Sequence, residues 1–167
     1  KHFVQNILRG SGYDEPSMLI ARNAVNYAYA MYLRLFDIGE NHAEANSLVR
    51  RLLAISLLTG RHSGSFETKF EQDIKRIQNP GDLAKFVATL EKQELSDIFW
   101  NSTLVDELDK PTINNPFWHM FVAAQNKLLK QGFLSKNNIA RDLATDDVHH
   151  IFPKNYLVKH GYDKTKY

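Results

Sequence analysis

The spacing of apolar residues between positions 41 and 59 constrains the fold more than any other feature, because they recur at steps of three and four. One stripe consists of Ala45, Leu48, Val49, Leu52, Leu53 and Ser56, and it is widened by Ile55, Leu57 and Leu58. A helix that is apolar over so much of its circumference is usually buried on more than one side. We therefore predict a buried helix over 41–59, with Gly60 as its left-handed C-terminal residue.

The same period recurs on both sides of this helix. Further helices are predicted from Asp14-Glu15-Pro16 to Gly39, from Phe66 to Ile77, from a capping Asp82 to Leu90, and from Asn115-Pro116 to about Gly132. A less regular apolar stretch lies between them, and its Trp100 is expected in the core together with Trp118. Since no strand is predicted before residue 145, the natural packing is a mainly α, multi-helix bundle over residues 1–138.

The pattern changes after Lys136, where apolar residues become too sparse for a helix face. The segment from Val148 to Phe152 is predicted to be a short strand or an extended turn. Pro153 then opens a final helix that runs to about His160, with Gly161 as its stop. The order of extended segment, turn and short helix separates residues 139–167 from the bundle.

The composition excludes several kinds of protein and site. With no cysteine, the chain has no disulfide, no thiolate zinc site and no cysteine nucleophile. No run of about 18 apolar residues predicts a membrane span, and no apolar signal segment follows Lys1. These features predict a cytoplasmic protein that does not enter the membrane.

Charge is distributed unevenly along the chain. The formal net charge is only +2, which does not by itself indicate a nucleic-acid partner. From Lys130 onward, however, seven lysines and arginines stand against four aspartates, and three of the seven histidines lie there. A basic surface that contacts DNA and an ordinary solvated surface both fit this pattern.

Three residues in the C-terminal segment have the character of a reactive site. His149 and His150 are consecutive, so on an extended backbone their side chains point to opposite faces. One imidazole can then bind a metal ion while the other acts as a general base. Asp147 is close enough to orient a ring or to add a carboxylate ligand. An incidental pair of surface histidines is the alternative.

The heptapeptide Asp147-Val148-His149-His150-Ile151-Phe152-Pro153 resembles the first-strand motif of HNH endonucleases. It looks closest to the carboxy-terminal HNH domain of GmrSD-like proteins, which are bacterial defence enzymes that restrict modified or foreign DNA. The extension Lys154-Asn155-Tyr156-Leu157 is similar to that group as well. A weaker likeness is carried by Gly60-Arg61-His62-Ser63-Gly64-Ser65 with Lys69-Phe70 and Asp73-Ile74, which resembles the helical region upstream of the HNH domain.

The resemblance implies a function and a set of roles. His150 matches the general base, His149 matches the first metal ligand, and Asp147 is a second ligand or orienting group. The cofactor would be Mg²⁺ or Mn²⁺, and the partner would be DNA. Residues 139–167 would begin a ββα-metal domain whose central Asn and final His or Asn are expected after Tyr167, so the segment alone is expected to be inactive. A nucleoside triphosphate would enter only through a ParB-like domain outside this chain.

Several alternatives stay open. Arg61 and Ser63, with His62 and Ser65, are candidates for phosphate binding at a helix start, but the same residues also fit a helix end, a turn and a serine cap. Lys154 is a further candidate for DNA contact. The whole chain also fits a helical DNA- or protein-binding module, including a homodimer, or a regulator that binds a partner through Tyr- and Phe-rich faces. His119 is expected to be a packed histidine.

Overall fold

The computed structural model describes residues 1–64, 66–110, 115–129 and 153–162, and these residues are mainly helical. The helices are α1 (Arg22–Asp37), α2 (His42–Thr59), α3 (Glu67–Arg76), α4 (Asp82–Glu94), α5 (Leu104–Leu108), α6 (Pro116–Leu128) and α7 (Lys154–Lys159). Single helical turns occur at Val4–Leu8, Arg9–Ser11, Pro16–Met18 and Phe99–Thr103. The predicted mainly α fold is confirmed for these parts of the chain.

Helix α2 is the central element, as its apolar spacing predicts. It packs against α1, α4, α6 and the N-terminal turns. Asn41 caps it, because the Asn41 Oδ1 accepts the amide of Ala43 at 3.0 Å, and Gly60 ends it with a φ of 60°. The buried side chains are Ala45, Leu48, Val49, Leu52, Leu53, Ile55, Ser56 and Leu57. Burial on several faces makes this helix the axis of the core.

The first predicted helix is wrong in its start. Pro16–Met18 forms a separate short turn, and α1 begins only at Arg22. Leu19 (φ −101°, ψ 67°) and Ala21 (φ −92°, ψ 75°) both leave the helical region. The buried Met18 sits at a helical spacing from Ala21, and this spacing concealed the break. As a result, α1 begins at an alanine that offers no side chain to cap its amides.

The start of α4 also differs from the prediction. Gly81, with φ 84°, occupies the capping position, and Asp82 lies inside the first turn. The Asp82 carboxylate accepts the amides of Gln78 at 3.1 Å and Asn79 at 2.8 Å, so it stabilises the preceding turn. The Glu40 Oε2 accepts the Gly81 amide at 2.7 Å and ties the α1–α2 connection to this end of α4.

The N-terminal turns close one side of the bundle against α6. Asn126 donates from Nδ2 to the Gly12 carbonyl at 3.0 Å in a buried hydrogen bond. The neighbouring Tyr13 hydroxyl lies 3.3 Å from the Met120 sulfur. Gly12 has a φ of 90°, and because it carries no Cβ atom it can lie close to the Ala123 carbonyl in α6.

Two further expectations have different outcomes. Trp100 was predicted in the core, but its side chain is 45% exposed, because the segment after α4 places Phe99 inward instead. The strand predicted for 148–152 and the domain boundary at 138/139 lie outside the described residues.

Candidate functional site

The three residues that carry the nuclease prediction, Asp147, His149 and His150, lie outside the described residues. The structure does describe the segment that follows them. Helix α7 starts immediately after Pro153 (φ −56°, ψ 137°), and Gly161 follows it with φ 78°. The short C-terminal helix is therefore confirmed. Lys154 is its first residue, and its predicted contact with DNA stays a prediction.

Arg61 lies at the centre of a partly buried ion network. Its Nη1 is 2.7 Å from Glu94 Oε1, and its Nη2 is 3.1 Å from Asp73 Oδ2. The Arg61 side chain is only 13% exposed, and its guanidinium lies over the Phe86 ring at 5.8 Å. These contacts join the turn after α2 to α3 and α4. They favour a structural role for Arg61, and its predicted contact with nucleic acid stays untested by the fold.

Asp73 is the most deeply buried charge of this network, with 1% of its surface exposed. Its Oδ2 also accepts the Tyr27 hydroxyl at 2.9 Å. Burial, and secondarily the Asp73 carboxylate, raises the pKa of Tyr27 far above its usual range, so the phenol stays protonated. Sequence reasoning missed these two residues and Glu94. Only Asp73 had a signal in the sequence, because it is a carboxylate on the apolar side of α3, three residues after Phe70.

His62 is a buried histidine that stacks on Tyr27, with ring centroids 3.8 Å apart. Neither of its ring nitrogens has a hydrogen-bond partner within the described part of the chain. Burial lowers the pKa of His62 from 6.5 to about 4, and the positive charge of Arg61 acts in the same direction. The imidazole is therefore neutral at pH 7.

The remaining candidates near this turn have ordinary local roles. The Ser63 hydroxyl donates to the Gly60 carbonyl at 2.7 Å, and the side chain is exposed. Ser65 lies outside the described residues. The helix end and turn predicted as the alternative to a phosphate site are thus present, and phosphate binding by Arg61 and Ser63 stays a prediction.

The two consecutive arginines of α2 also bind within the protein. The Arg50 Nε donates to the Asn6 carbonyl at 2.6 Å, and Arg51 forms a two-point contact with Glu91. Both partners lie on elements other than α2. His119 is packed as expected, and burial lowers its pKa.

A cavity of about 380 Å³ lies between the start of α1 and the turn after α2. Arg22 and Asn23 of α1 line one wall, and His62 and Ser63 line another. Ile20, Leu57 and Pro116 add apolar surface. The lining therefore includes the first residues of α1, the turn after α2 and several apolar side chains.

Metal binding and membrane insertion can be assessed for the described residues only. Among them, no cluster of three or more His, Cys, Asp or Glu side chains is arranged to hold a metal ion. The predicted ligands His149 and Asp147 are not among those residues. None of the helices described combines the length and apolar character needed to cross a bilayer.

Comparisons with protein-family models, with curated proteins and with solved structures find no match for this chain.

The buried His62 predicts a dependence of stability on pH. An unfolded histidine titrates near 6.5 and the folded one near 4, so the unfolded state binds more protons between these values and stability falls as pH falls. At 1.36 kcal/mol for each pKa unit, about 3 kcal/mol is lost by pH 4. Urea unfolding at several pH values should show that loss. His62→Phe keeps an aromatic ring on Tyr27 but cannot titrate, so on acidification it should lose about 3 kcal/mol less unfolding free energy than the wild type does. An equal dependence of unfolding free energy on pH in the two proteins would contradict the lowered pKa of His62.

Proposed function

We propose that this chain is the helical scaffold and the first half of the active site of a metal-dependent HNH-type DNA endonuclease, of the kind found in GmrSD-like bacterial defence proteins. The observation that supports the proposal is the heptapeptide from Asp147 to Pro153, which runs directly into helix α7. The histidine pair and the aspartate before it match the first-strand motif of that family.

The proposed chemistry follows from the residue types. His149 and Asp147 would hold Mg²⁺ or Mn²⁺, which neutralises charge that develops on the scissile phosphate. His150 would remove a proton from the attacking water. An imidazole with a pKa near 6.5 is suited to that step at neutral pH. Arg61 and Ser63 stay candidates for contact with the DNA phosphate backbone, although Arg61 already bonds to two carboxylates within the protein.

The helical part supports the proposal as a scaffold. The ion network of Arg61, Asp73 and Glu94 holds α2, α3 and α4 together. Contacts of this kind keep the elements of a bundle in one arrangement. A rigid bundle is a suitable platform for a small catalytic element that needs precise placement of its ligands.

The test uses the complete natural protein, supercoiled plasmid with and without modified bases, and Mg²⁺ or Mn²⁺, with and without nucleoside triphosphate. We expect His150→Ala to lower the cleavage rate by at least about 100-fold, because general-base catalysis contributes that much. Chelation of the metal should abolish cleavage. His160→Ala is the matched control, since His160 is an exposed histidine just after α7, and it should cleave as wild type does.

Equal cleavage by wild type and His150→Ala would place the activity elsewhere and overturn the proposal. Absence of cleavage by a folded wild-type protein under every condition would favour the second candidate, a helical module that binds another protein. The observation in favour of that candidate is a segment with exposed apolar side chains, where Ile98 is 75% exposed and Val105 is 56% exposed.

A further inference from the structure

A recess of about 250 Å³ lies where α2, α6 and the N-terminal turns meet. Three cationic side chains line this basic recess: Arg50 and Arg51 from α2, and Lys127 from the last turn of α6. Among the described residues that line it there is no aspartate or glutamate. Only the charge of Arg51 is offset, by its pair with Glu91. The recess therefore carries an excess of positive charge.

Arg50 is held in one orientation by its surroundings. Its Nε donates to the Asn6 carbonyl at 2.6 Å, and its guanidinium lies against Gly10. A Cβ atom on Gly10 would lie 2.8 Å from Nη2 and 2.9 Å from Cζ of Arg50, so the lack of a side chain there makes room for the guanidinium. An arginine that is already oriented loses less conformational entropy when it binds a ligand.

The donors of Arg50 and Lys127 are not used within the described residues. The Nη1 and Nη2 of Arg50 have no hydrogen-bond acceptor there, and neither atom is sealed from solvent. Lys127 is exposed and forms no ion pair with a carboxylate that the structure describes. A guanidinium can donate to two oxygens of one phosphate, and an ammonium adds a point charge. Donors of this kind favour a phosphate group.

The rest of the wall is apolar. Leu53 and Ala54 of α2 line it, together with Met120 and Ala124 of α6. Such a surface can bury the carbon atoms of an esterified phosphate, whereas inorganic phosphate has no carbon to bury. Sites for drug-sized ligands have volumes of about 300–1,000 Å³. The smaller recess therefore fits a single phosphate group and the carbon atoms next to it.

We propose that the basic recess binds a phosphate ester. The Nη1 and Nη2 of Arg50 donate to two phosphate oxygens, Lys127 supplies a second positive charge, and the apolar wall contacts the ester carbons. The ester is a small phosphorylated molecule or one diester of a nucleic-acid backbone, since both have this chemistry. Gly10 is a positioning residue that acts through Arg50. The proposal does not depend on the nuclease residues.

The experiment is a titration of the 167-residue chain, without added metal, followed by the ¹⁵N chemical shifts of the Arg50 Nε and the Gly10 amide. The probes are phenyl phosphate as a small ester, a short DNA duplex and inorganic phosphate, and sodium chloride at matched ionic strength is the reference. We expect saturable shifts with at least one of the two esters and weaker binding of inorganic phosphate. Saturation by phenyl phosphate identifies a small-molecule site, and saturation by the duplex alone identifies a contact with the nucleic-acid backbone.

Gly10→Ala tests the orientation of Arg50 without a change of charge. The added Cβ atom must displace the guanidinium, which is the far end of a flexible side chain, so the variant is expected to fold. The affinity for the ester should fall about 10-fold, as when a hydrogen bond to a charged group is lost. Arg50→Met should lower the affinity at least as much, and Gly10→Ala keeps the test valid if Arg50→Met does not fold.

Lys127→Ala and Lys92→Ala form a matched pair of variants. Both lysines are exposed and lie in the last turn of a helix, but Lys92, on α4, does not line the recess. Each variant removes one positive charge. Lys127→Ala should lower the affinity about 3-fold, which is within the range for an exposed charge. Lys92→Ala should bind the ester as wild type does.

Four results would overturn the proposal. One is the absence of saturable shifts with either ester beyond those that sodium chloride produces. A second is binding of inorganic phosphate as tight as that of the esters, which would leave the apolar wall without a role. A third is wild-type affinity in Gly10→Ala. The fourth is an equal loss of affinity in Lys127→Ala and Lys92→Ala, which would mean that binding follows net charge rather than the recess.

Discussion

Gly12→Ala is expected to destabilise the fold by about 3 kcal/mol or more, which is the sum of backbone strain and overpacking. Gly12 has a φ of 90°, a conformation that residues with a Cβ atom rarely adopt. A Cβ atom at this position would lie 1.9 Å from the carbonyl oxygen of Ala123 in α6. The backbone of a helix cannot move aside as a flexible side chain can. The N-terminal turns would therefore separate from α6, and the Asn126 hydrogen bond to Gly12 would be lost.

The measurement is urea unfolding followed by circular dichroism, with Gly39→Ala as the matched control. Gly39 has a similar φ of 77°, but a Cβ atom there would meet nothing within 4 Å. Gly39→Ala should therefore show only the backbone strain, about 1–2 kcal/mol. The difference between the two variants isolates the contact with α6. Equal losses would contradict close packing between the N-terminal turns and α6.

Arg61→Met is expected to destabilise the fold by about 3–5 kcal/mol, which is typical when one partner of a buried ion pair is removed. The methionine keeps much of the packing volume on Phe86 but removes the positive charge. Asp73, 1% exposed, would then be a buried carboxylate with the Tyr27 hydroxyl as its closest remaining partner and Arg76 3.8 Å away. Unfolding in urea at pH 7 measures the loss.

Arg51→Met is the matched control for this variant. Arg51 also pairs with a carboxylate, that of Glu91, but its side chain is 48% exposed. Exposed pairs contribute about 0–1 kcal/mol, so this variant should be nearly neutral. The double variant Arg61→Met with Asp73→Asn should recover part of the stability, because no buried charge is left uncompensated. A loss for Arg61→Met no larger than that for Arg51→Met would contradict the proposed burial of the network.

Apolar periodicity predicted the central part of this fold. The helix over 41–59, its start near Asn41 and its end at Gly60 were all contained in local spacing and in residue preferences. The short helix after Pro153 was predicted from residue preferences, since proline and glycine mark helix ends by their own backbone conformations. The nuclease motif is likewise a local pattern, and its function stays a prediction.

Local patterns failed where a distant contact decides the outcome. The spacing from Met18 to Val25 fits one continuous helix. In the structure α1 begins only at Arg22, and its uncapped first residues lie beside a cavity. Arg61 was interpreted as a candidate for phosphate binding, and only the packing of α3 and α4 shows that Asp73 and Glu94 bind it.

What the sequence by itself determined is therefore the helical class and the central buried helix, and the nuclease residues that it offers stay a prediction. These properties depend on periods of a few residues and on side-chain chemistry. Only the tertiary structure decided which charges are paired, and that His62 is neutral and buried beside an uncapped helix. The reason is physical: burial and ion pairing depend on residues far apart in the chain, such as Tyr27, Asp73 and Glu94, and local spacing does not bring these together.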